Sequence, residues 1–153
     1  MTRLQVTTDV PTDIQMTRAF DAPRRLVMRA MTEPELIKRW LGNSRADLIS
    51  AVVDFRVGGS YRYVFRRKDG MEFSFTGVYR EIGEDRVVHS ERFDDNREEA
   101  VITTTWTERD GVTTMTLVMR FSSQMVRDMV VSTGMEHGAG ESYDNLARLV
   151  TSL

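Results

Sequence analysis

Cysteine is absent from this chain of 153 residues, and no apolar run approaches the length of a membrane span. Without cysteine, disulfides, thiolate metal sites and a cysteine nucleophile are excluded. A transmembrane helix needs about 20 consecutive apolar residues, so no membrane span is predicted. The stretch 1–10 lacks the apolar segment of a signal peptide and carries Asp9. We therefore expect a cytoplasmic protein.

Neither sign of charge dominates, because 21 Lys and Arg stand against 23 Asp and Glu and the net charge is −2. Nucleic-acid-binding proteins normally present a strongly basic face, so no nucleic-acid partner is predicted. Histidine is scarce, with only His89 and His137. Neither belongs to a metal-ligand motif such as His-x-x-His. We predict no metal site and no other cofactor.

The chain has the length of one globular domain. Residues 1–10 are polar and aperiodic. We therefore predict a flexible tail over 1–11 and a single domain over 12–153. No linker composition and no internal repeat divides the second range.

Two short helices are predicted after a first strand, which lies within 12–20. Leu26, Val27, Ala30 and Met31 make one apolar helical face, with Asp21 as the expected N-cap. A second helix follows Thr32, which together with Glu35 has the spacing of a capping box. Gly42 is expected to end it.

The pattern changes to a period of two between Asp47 and Phe121. Turn signals divide this range into six strands: Gly58-Gly59, Asp69-Gly70, Gly83-Glu84-Asp85, Asp94-Asp95-Asn96 and Asp110-Gly111. No helical pattern interrupts them, so an antiparallel meander is predicted. Alternation gives each strand one apolar face, except over 86–93, where Val87 and Val88 point opposite ways.

The C-terminal region is helical in pattern. A short helix is expected after Ser122 or Ser123, and Gly134 should break it. The last helix carries one apolar stripe, formed by Ala139, Tyr143, Leu146, Ala147 and Val150. The predicted fold is α+β with the order β-α-α-β6-α, a curved antiparallel sheet around the long C-terminal helix. One helix cannot fill the whole concave face, so a pocket is expected beside it.

Six segments of the chain form a recognisable set: Arg18-Ala19-Phe20-Asp21-Ala22-Pro23, the run from Val27 to Glu35, Lys38-Arg39-Trp40, the run from Arg56 to Arg62, the run from Phe75 to Ile82, and Gly134-Met135-Glu136-His137-Gly138. In this order they resemble the family of heat-shock-protein-90 ATPase activator homologues. The resemblance covers about 14–150 and implies the START-like, helix-grip (SRPBCC) fold with a cavity between the last helix and the sheet. Members of that superfamily carry lipids, sterols, hormones and polyketides, and some cyclise polyketides.

The chain departs from the family pattern at three positions. Leu41 replaces the usual aromatic residue, Asn43 a proline and Ala139 a tryptophan. Chaperone activation is not carried over by the resemblance, because the eukaryotic activator uses a separate chaperone-binding domain for which 153 residues leave no room.

The predicted ligand-binding residues are large apolar or aromatic side chains near the expected cavity, together with one small residue on the last helix. They are Trp40, Tyr61, Tyr63, Phe73, Phe75, Trp106, Met119, Phe121, Met135, Ala139 and Tyr143. Ten methionines support an adaptable apolar lining. Met28, Met115, Met119, Met129 and Met135 are expected on apolar faces or at the cavity mouth.

Three functions are compatible with these patterns. The first is non-catalytic binding of an apolar or aromatic small molecule. The second is a cyclase- or hydrolase-like enzyme in the same cavity, with Tyr61, Tyr63, His89 or Glu91 handling protons. The third is a protein-interaction module, with a chaperone or a second copy of the chain as partner. No residue is assigned as catalytic: His89 is expected to pack or face solvent, and Glu91 to belong to a solvated acidic turn.

Overall fold

The computed structural model describes residues 2–153, which form eight strands and four helices. The strands are β1 (Gln5–Thr7), β2 (Asp13–Phe20), β3 (Ala46–Val53), β4 (Ser60–Arg67), β5 (Glu72–Ile82), β6 (Arg86–Phe93), β7 (Ala100–Arg109) and β8 (Val112–Arg120). The helices are α1 (Arg24–Thr32), α2 (Pro34–Ile37), α3 (Gln124–Ser132) and α4 (Met135–Val150).

All eight strands join one antiparallel sheet in the order β1-β2-β8-β7-β6-β5-β4-β3. The six strands β3–β8 form the predicted meander, each hydrogen-bonded to the next in the chain. Strand β2 returns beside β8, with Ile14 opposite Met119. Helix α4 packs against β2, α1 and α3. The predicted antiparallel sheet around the C-terminal helix is therefore confirmed.

The N-terminal segment differs from the flexible tail predicted over 1–11. Gln5–Thr7 pair with β2 as an edge strand. The buried guanidinium of Arg127 on α3 donates hydrogen bonds to the carbonyl oxygens of Thr8 and Val10, at 3.1 and 3.0 Å. These bonds come from a residue more than 100 positions away, so local pattern could not reveal them.

The helix termini differ in detail from the predicted ones. Helix α1 begins after Pro23 and not after Asp21. Helix α2 spans a single turn after Glu33, and the Thr32 hydroxyl donates to the Met28 carbonyl instead of forming the predicted capping box. Ser123 caps α3 as predicted, with its hydroxyl accepting a hydrogen bond from the Val126 amide. Helices α1 to α4 of the described chain include none long and apolar enough to cross a membrane.

The core lies between the concave face of β2, β7 and β8 and the helices α1 and α4. Its most deeply buried side chains include Ile14, Val27, Ile102, Met115 and Leu146. These residues come from strand positions of period two and helix positions of period 3.6, as an apolar face on each element requires. Packing is dense at this end of the sheet, and strands β4 to β6 continue beyond it.

Candidate functional site

A group of aromatic rings covers the concave face of β4, β5 and β6, and we call it the aromatic wall. It consists of Tyr61, Tyr63, Phe65, Phe73, Phe75, Tyr79 and Phe93. Strand register brings them together, since Tyr63 lies opposite Phe75 and Phe75 opposite Phe93. The rings of Phe65 and Phe73 stack with centroids 5.2 Å apart. The predicted faces of β4 and β5 agree with this register.

The aromatic wall is only partly covered. Tyr63, Phe73 and Phe75 are half-buried, and Phe93 is 48% exposed. On the neighbouring strand β7, by contrast, Ile102 and Trp106 are buried. Within the wall itself Tyr61, Phe65 and Tyr79 are also buried. The exposed part is therefore limited to the area around Tyr63, Phe73, Phe75 and Phe93. Half-exposed aromatic rings on a concave surface are typical of a ligand-binding groove.

Tyr61 and His89 form a polar contact at the edge of the wall. The Tyr61 hydroxyl donates to the Ser90 carbonyl at 2.7 Å, and the His89 Nδ1 atom lies 3.0 Å from the same hydroxyl oxygen. Nδ1 also lies 3.1 Å from the Ser90 carbonyl, which can only accept. This network places the imidazole proton on Nδ1 and leaves Nε2 as an acceptor. Burial lowers the pKa of His89, so the ring is neutral at pH 7.

Glu91 lies two residues beyond His89 on the same face of β6, opposite Ala100 of β7. Its side chain is half-buried, and burial raises the pKa of its carboxyl to about 7. Burial also raises the pKa of Tyr61, Tyr63 and Tyr143, and the charge of Glu91 adds to each shift. The charge of the carboxylate therefore acts on tyrosines of both the sheet and α4.

Helix α4 supplies the opposite side of this region. Tyr143 is buried, with its ring 5.6 Å from that of Trp40 and 6.5 Å from that of Phe20. Ala139 lies one turn earlier and Met135 two turns earlier, and both are half-buried against the core. Ala139 therefore places only a methyl group on the helix surface next to Tyr143.

The remaining predicted ligand-binding residues lie in the core. Trp40 donates its indole N–H to the Ala30 carbonyl at 2.7 Å. Trp106 is buried, with its indole nitrogen 3.3 Å from the sulfur of Met31. Met119 is buried, and Phe121 packs partly buried against the same core. Met129 was predicted to lie on an apolar face or at the cavity mouth. That prediction is wrong, because Met129 is 63% exposed on α3.

Two open surface clefts, of about 440 and 270 Å³, lie beside α4. The larger is lined by residues 38–44 on one side and by Glu141 and Asn145 on the other. Of the predicted ligand-binding residues only Trp40 lines it, and none lines the smaller cleft. Both clefts are separate from the aromatic wall.

Glu91 occupies a different position from the one expected, whereas His89 packs, which is one of the two positions expected for it. Glu91 belongs to β6 and faces the concave side, whereas a solvated turn was expected. His89 is half-buried against Tyr61 and Tyr79. The alternation of His89, Glu91 and Phe93 is a signal that could have placed His89 and Glu91 on the same face as the wall. The signal is weakened by Val87 and Val88, which are consecutive apolar residues and are both buried.

Within residues 2–153, no three His, Asp or Glu side chains come together as a possible metal site. The polar groups on or beside the wall are the Glu91 carboxyl, the His89 imidazole and the phenols of four tyrosines, namely Tyr61, Tyr63, Tyr79 and Tyr143. Together they can donate to, accept from or exchange a proton with a ligand.

Solved structures similar to this chain come from several bacteria. A Rhodobacter sphaeroides protein is 24% identical, with a TM-score of 0.93 and coverage of 99% of this chain and 100% of its own. A Mycobacterium smegmatis protein is 22% identical, with a TM-score of 0.85 and 99% of both chains covered. A Nitrosomonas europaea protein is 22% identical, with a TM-score of 0.84 and coverage of 94% and 97%. These likenesses confirm the START-like, helix-grip fold.

Comparison with curated proteins gives no significant match. The family model described as Activator of Hsp90 ATPase homolog 1-like protein matches residues 21–151. That range includes α1, the aromatic wall, Glu91 and α4. The chain belongs to this family of proteins similar to activator of Hsp90 ATPase homolog 1.

Proposed function

We propose that this protein binds apolar, ring-containing small molecules against the aromatic wall. The observation that carries the proposal is the partial exposure of Tyr63, Phe73, Phe75 and Phe93 on a concave face. Binding is favourable when an apolar ligand displaces water from the faces of large aromatic side chains, because apolar surface is then removed from water. Family membership is consistent with such a binding module.

The expected affinity follows from the area that a small ligand would cover. Burying about 200 Å² of apolar ligand surface contributes roughly 5 kcal/mol before the costs of association. Since 5 kcal/mol corresponds to a dissociation constant of about 0.2 mM, ligands that make only apolar contacts should bind with dissociation constants of about 0.1–1 mM. Tighter binding requires a polar contact in addition.

A titration with N-phenyl-1-naphthylamine tests the proposal, because this neutral probe becomes fluorescent in apolar surroundings. The wild type should bind it with a submillimolar dissociation constant. Phe75→Ala should weaken binding by at least fivefold, since it removes a ring from the middle of the wall. Val78→Ala is the matched control, because Val78 lies on the opposite face of β5 and is 43% exposed. Absence of probe binding, or equal loss in both variants, would contradict the proposal.

A second candidate function is proton-transfer catalysis in the same groove. It is favoured by Glu91, whose pKa of about 7 is suited to a general acid or base at neutral pH. In a hydrolase, the Glu91 carboxylate would accept a proton from the attacking water. Hydrolysis of aromatic p-nitrophenyl esters by the wild type, lost in Glu91→Gln, would support this candidate. Equal rates in the two proteins would exclude Glu91 as the base.

A further inference from the structure

The Glu91 carboxyl has no ion pair and no hydrogen bond within residues 2–153, in contrast to Glu81 and Glu99. Glu99 pairs with both Arg80 and Arg92, and Glu81 pairs with Arg86 at 3.4 Å. No such pair or hydrogen bond lowers the pKa of Glu91, which is raised by burial. A half-buried carboxylate without a partner has lost part of its hydration and has gained no hydrogen bond or ion pair in exchange.

The tyrosine and histidine side chains around Glu91 are all neutral near pH 7. They are Tyr61 and Tyr63 on β4, Tyr79 on β5, His89 on β6 and Tyr143 on α4. Burial raises the pKa of each of these tyrosines and lowers that of His89. The charge of Glu99 also acts on Tyr61, but Glu99 is paired with Arg80 and Arg92. Glu91 is therefore the unpaired carboxylate among these aromatic rings.

Such a surrounding favours a cation. Aromatic faces carry negative electrostatic potential and attract ammonium groups within about 6 Å of the ring centre. A carboxylate adds the complementary charge and can accept the ammonium hydrogens. An anionic ligand would be repelled by both, and a neutral ligand would leave the carboxylate without a partner.

We propose that the aromatic wall takes organic amines, with the ammonium group on Glu91 and the apolar body against Phe73, Phe75 and Phe93. This inference rests on the proposed function, since it adds a polar anchor to apolar binding at the same wall. It specifies the ligand class as an amphiphilic cation.

The amine contact also links binding to pH. An ammonium ligand binds the ionised form of Glu91, whose share rises from roughly a tenth to nine tenths between pH 6 and pH 8 for a pKa near 7. The affinity of the wild type for an amine should therefore rise about tenfold over this range. A neutral ligand should lose affinity over the same range, because it must bury the charged carboxylate.

Three probes that share one apolar body test the proposal: 4-phenylbutylamine, 4-phenylbutanol and 4-phenylbutyrate. Each competes with N-phenyl-1-naphthylamine at pH 8. The wild type should bind the amine at least tenfold more tightly than the alcohol, and the acid more weakly than either. Glu91→Gln should remove the advantage of the amine, and it should bind the alcohol at least as tightly as the wild type does, because the alcohol no longer has to bury a charge. Glu81→Gln, an exposed acid on β5, is the matched control and should leave the order unchanged.

The outcomes separate the two proposals. If the alcohol binds but the amine has no advantage in the wild type, the amine inference is wrong and apolar binding stands. If none of the three probes and no naphthylamine binds, both proposals are wrong. The pH dependence of amine affinity gives a further test. It is measured on the wild type alone and so does not depend on whether a variant folds. An affinity for the amine that is flat or falling from pH 6 to pH 8 would overturn the inference.

Discussion

The Nδ1 atom of His89 lies 3.0 Å from the hydroxyl oxygen of Tyr61, and this contact joins β6 to β4 across the intervening strand β5. Gly77 of β5 lies between them, opposite Tyr61 in the register. A Cβ atom at this glycine would lie 1.9 Å from the Ser90 carbonyl oxygen and 2.7 Å from the Tyr61 ring. The missing side chain is therefore what allows the Tyr61 hydroxyl to reach Ser90.

We expect Gly77→Ala to lower the free energy of unfolding by about 2–3 kcal/mol, because the added methyl group overpacks a site bounded by backbone. Gly140→Ala is the matched control. Nothing lies within 4 Å of a Cβ at Gly140, so alanine there should stabilise α4 by about 1 kcal/mol. Urea unfolding measures both. Equal stability of wild type and Gly77→Ala would show that β5 and β6 shift freely to admit the methyl group.

Glu91 should make the folded state less stable as the pH rises through neutrality. Its carboxyl has a pKa of about 7 when folded and about 4.3 when unfolded. Between these values the folded state binds more protons, so the free energy of unfolding falls with increasing pH. The full effect above pH 7 is at most about 3.7 kcal/mol, because the two pKa values differ by about 2.7. His89 acts in the opposite sense, but only below its unfolded pKa of about 6.5.

Glu91→Gln should remove this dependence and unfold at higher urea concentrations than the wild type at pH 8. The difference between the two proteins should shrink towards zero near pH 4.5. Glu81→Gln, which is an exposed acid paired with Arg86, should follow the wild type at every pH. A Glu91→Gln variant less stable than the wild type at pH 8 would mean that the carboxylate has a stabilising partner in solution.

Much of the fold could be predicted because its turns, strands and helix starts are encoded by short, local sequence patterns. Turn residues such as Asp69-Gly70 and Asp110-Gly111 separate strands of period two, and Ser123 marks the start of α3. Strand β1 could not be predicted, because three edge residues show no periodicity and their anchor, Arg127, lies far away in the sequence.

The site was less predictable than the fold. Alternation placed Tyr61, Tyr63, Phe73 and Phe75 on one face, but only the register of β6 brings Glu91 to the same face. In sequence Glu91 stands close to Asp94 and Asp95 and looks like part of their turn. A shift of register between Tyr79 and Glu81 further obscures which residues of β6 face inward.

Arg127→Met should destabilise the protein by about 2–4 kcal/mol. Its buried guanidinium donates to the carbonyl oxygens of Thr8, Val10 and Asp13, and methionine leaves these acceptors without a donor. Asp128→Asn is the control, because Asp128 is 57% exposed and its ion pair with Arg127 contributes less than about 1 kcal/mol.

Hydrogen exchange gives a local measurement of the same contact. The amides of Gln5–Thr7 should exchange at least tenfold faster in Arg127→Met, since β1 is held on one side by β2 alone. If exchange in β1 is unchanged while global stability falls, Arg127 stabilises α3 and does not anchor the N-terminal segment.

The small residues at the start of α4 have different causes, and Ala139 is the one that bears on ligand binding. A Cβ at Gly138 would meet the Asn43 side chain at 2.8 Å, so close packing of the 42–45 loop explains that glycine. Ala139 is half-buried on the same helical face as Tyr143. We propose that its small size keeps space open between α4 and the aromatic wall.

Ala139→Trp should therefore fold with less than about 1 kcal/mol of lost stability, because the indole enters open space and not packed core. It should weaken binding of N-phenyl-1-naphthylamine at least fivefold by occupying the same space. Glu136→Trp adds the same ring to an exposed position of α4 and should leave both properties unchanged. A loss of about 1–3 kcal/mol in Ala139→Trp, the usual cost of overpacking, with probe binding intact, would place Ala139 in closed core. The ligand would then lie wholly against β4–β6, and α4 would contribute only Tyr143.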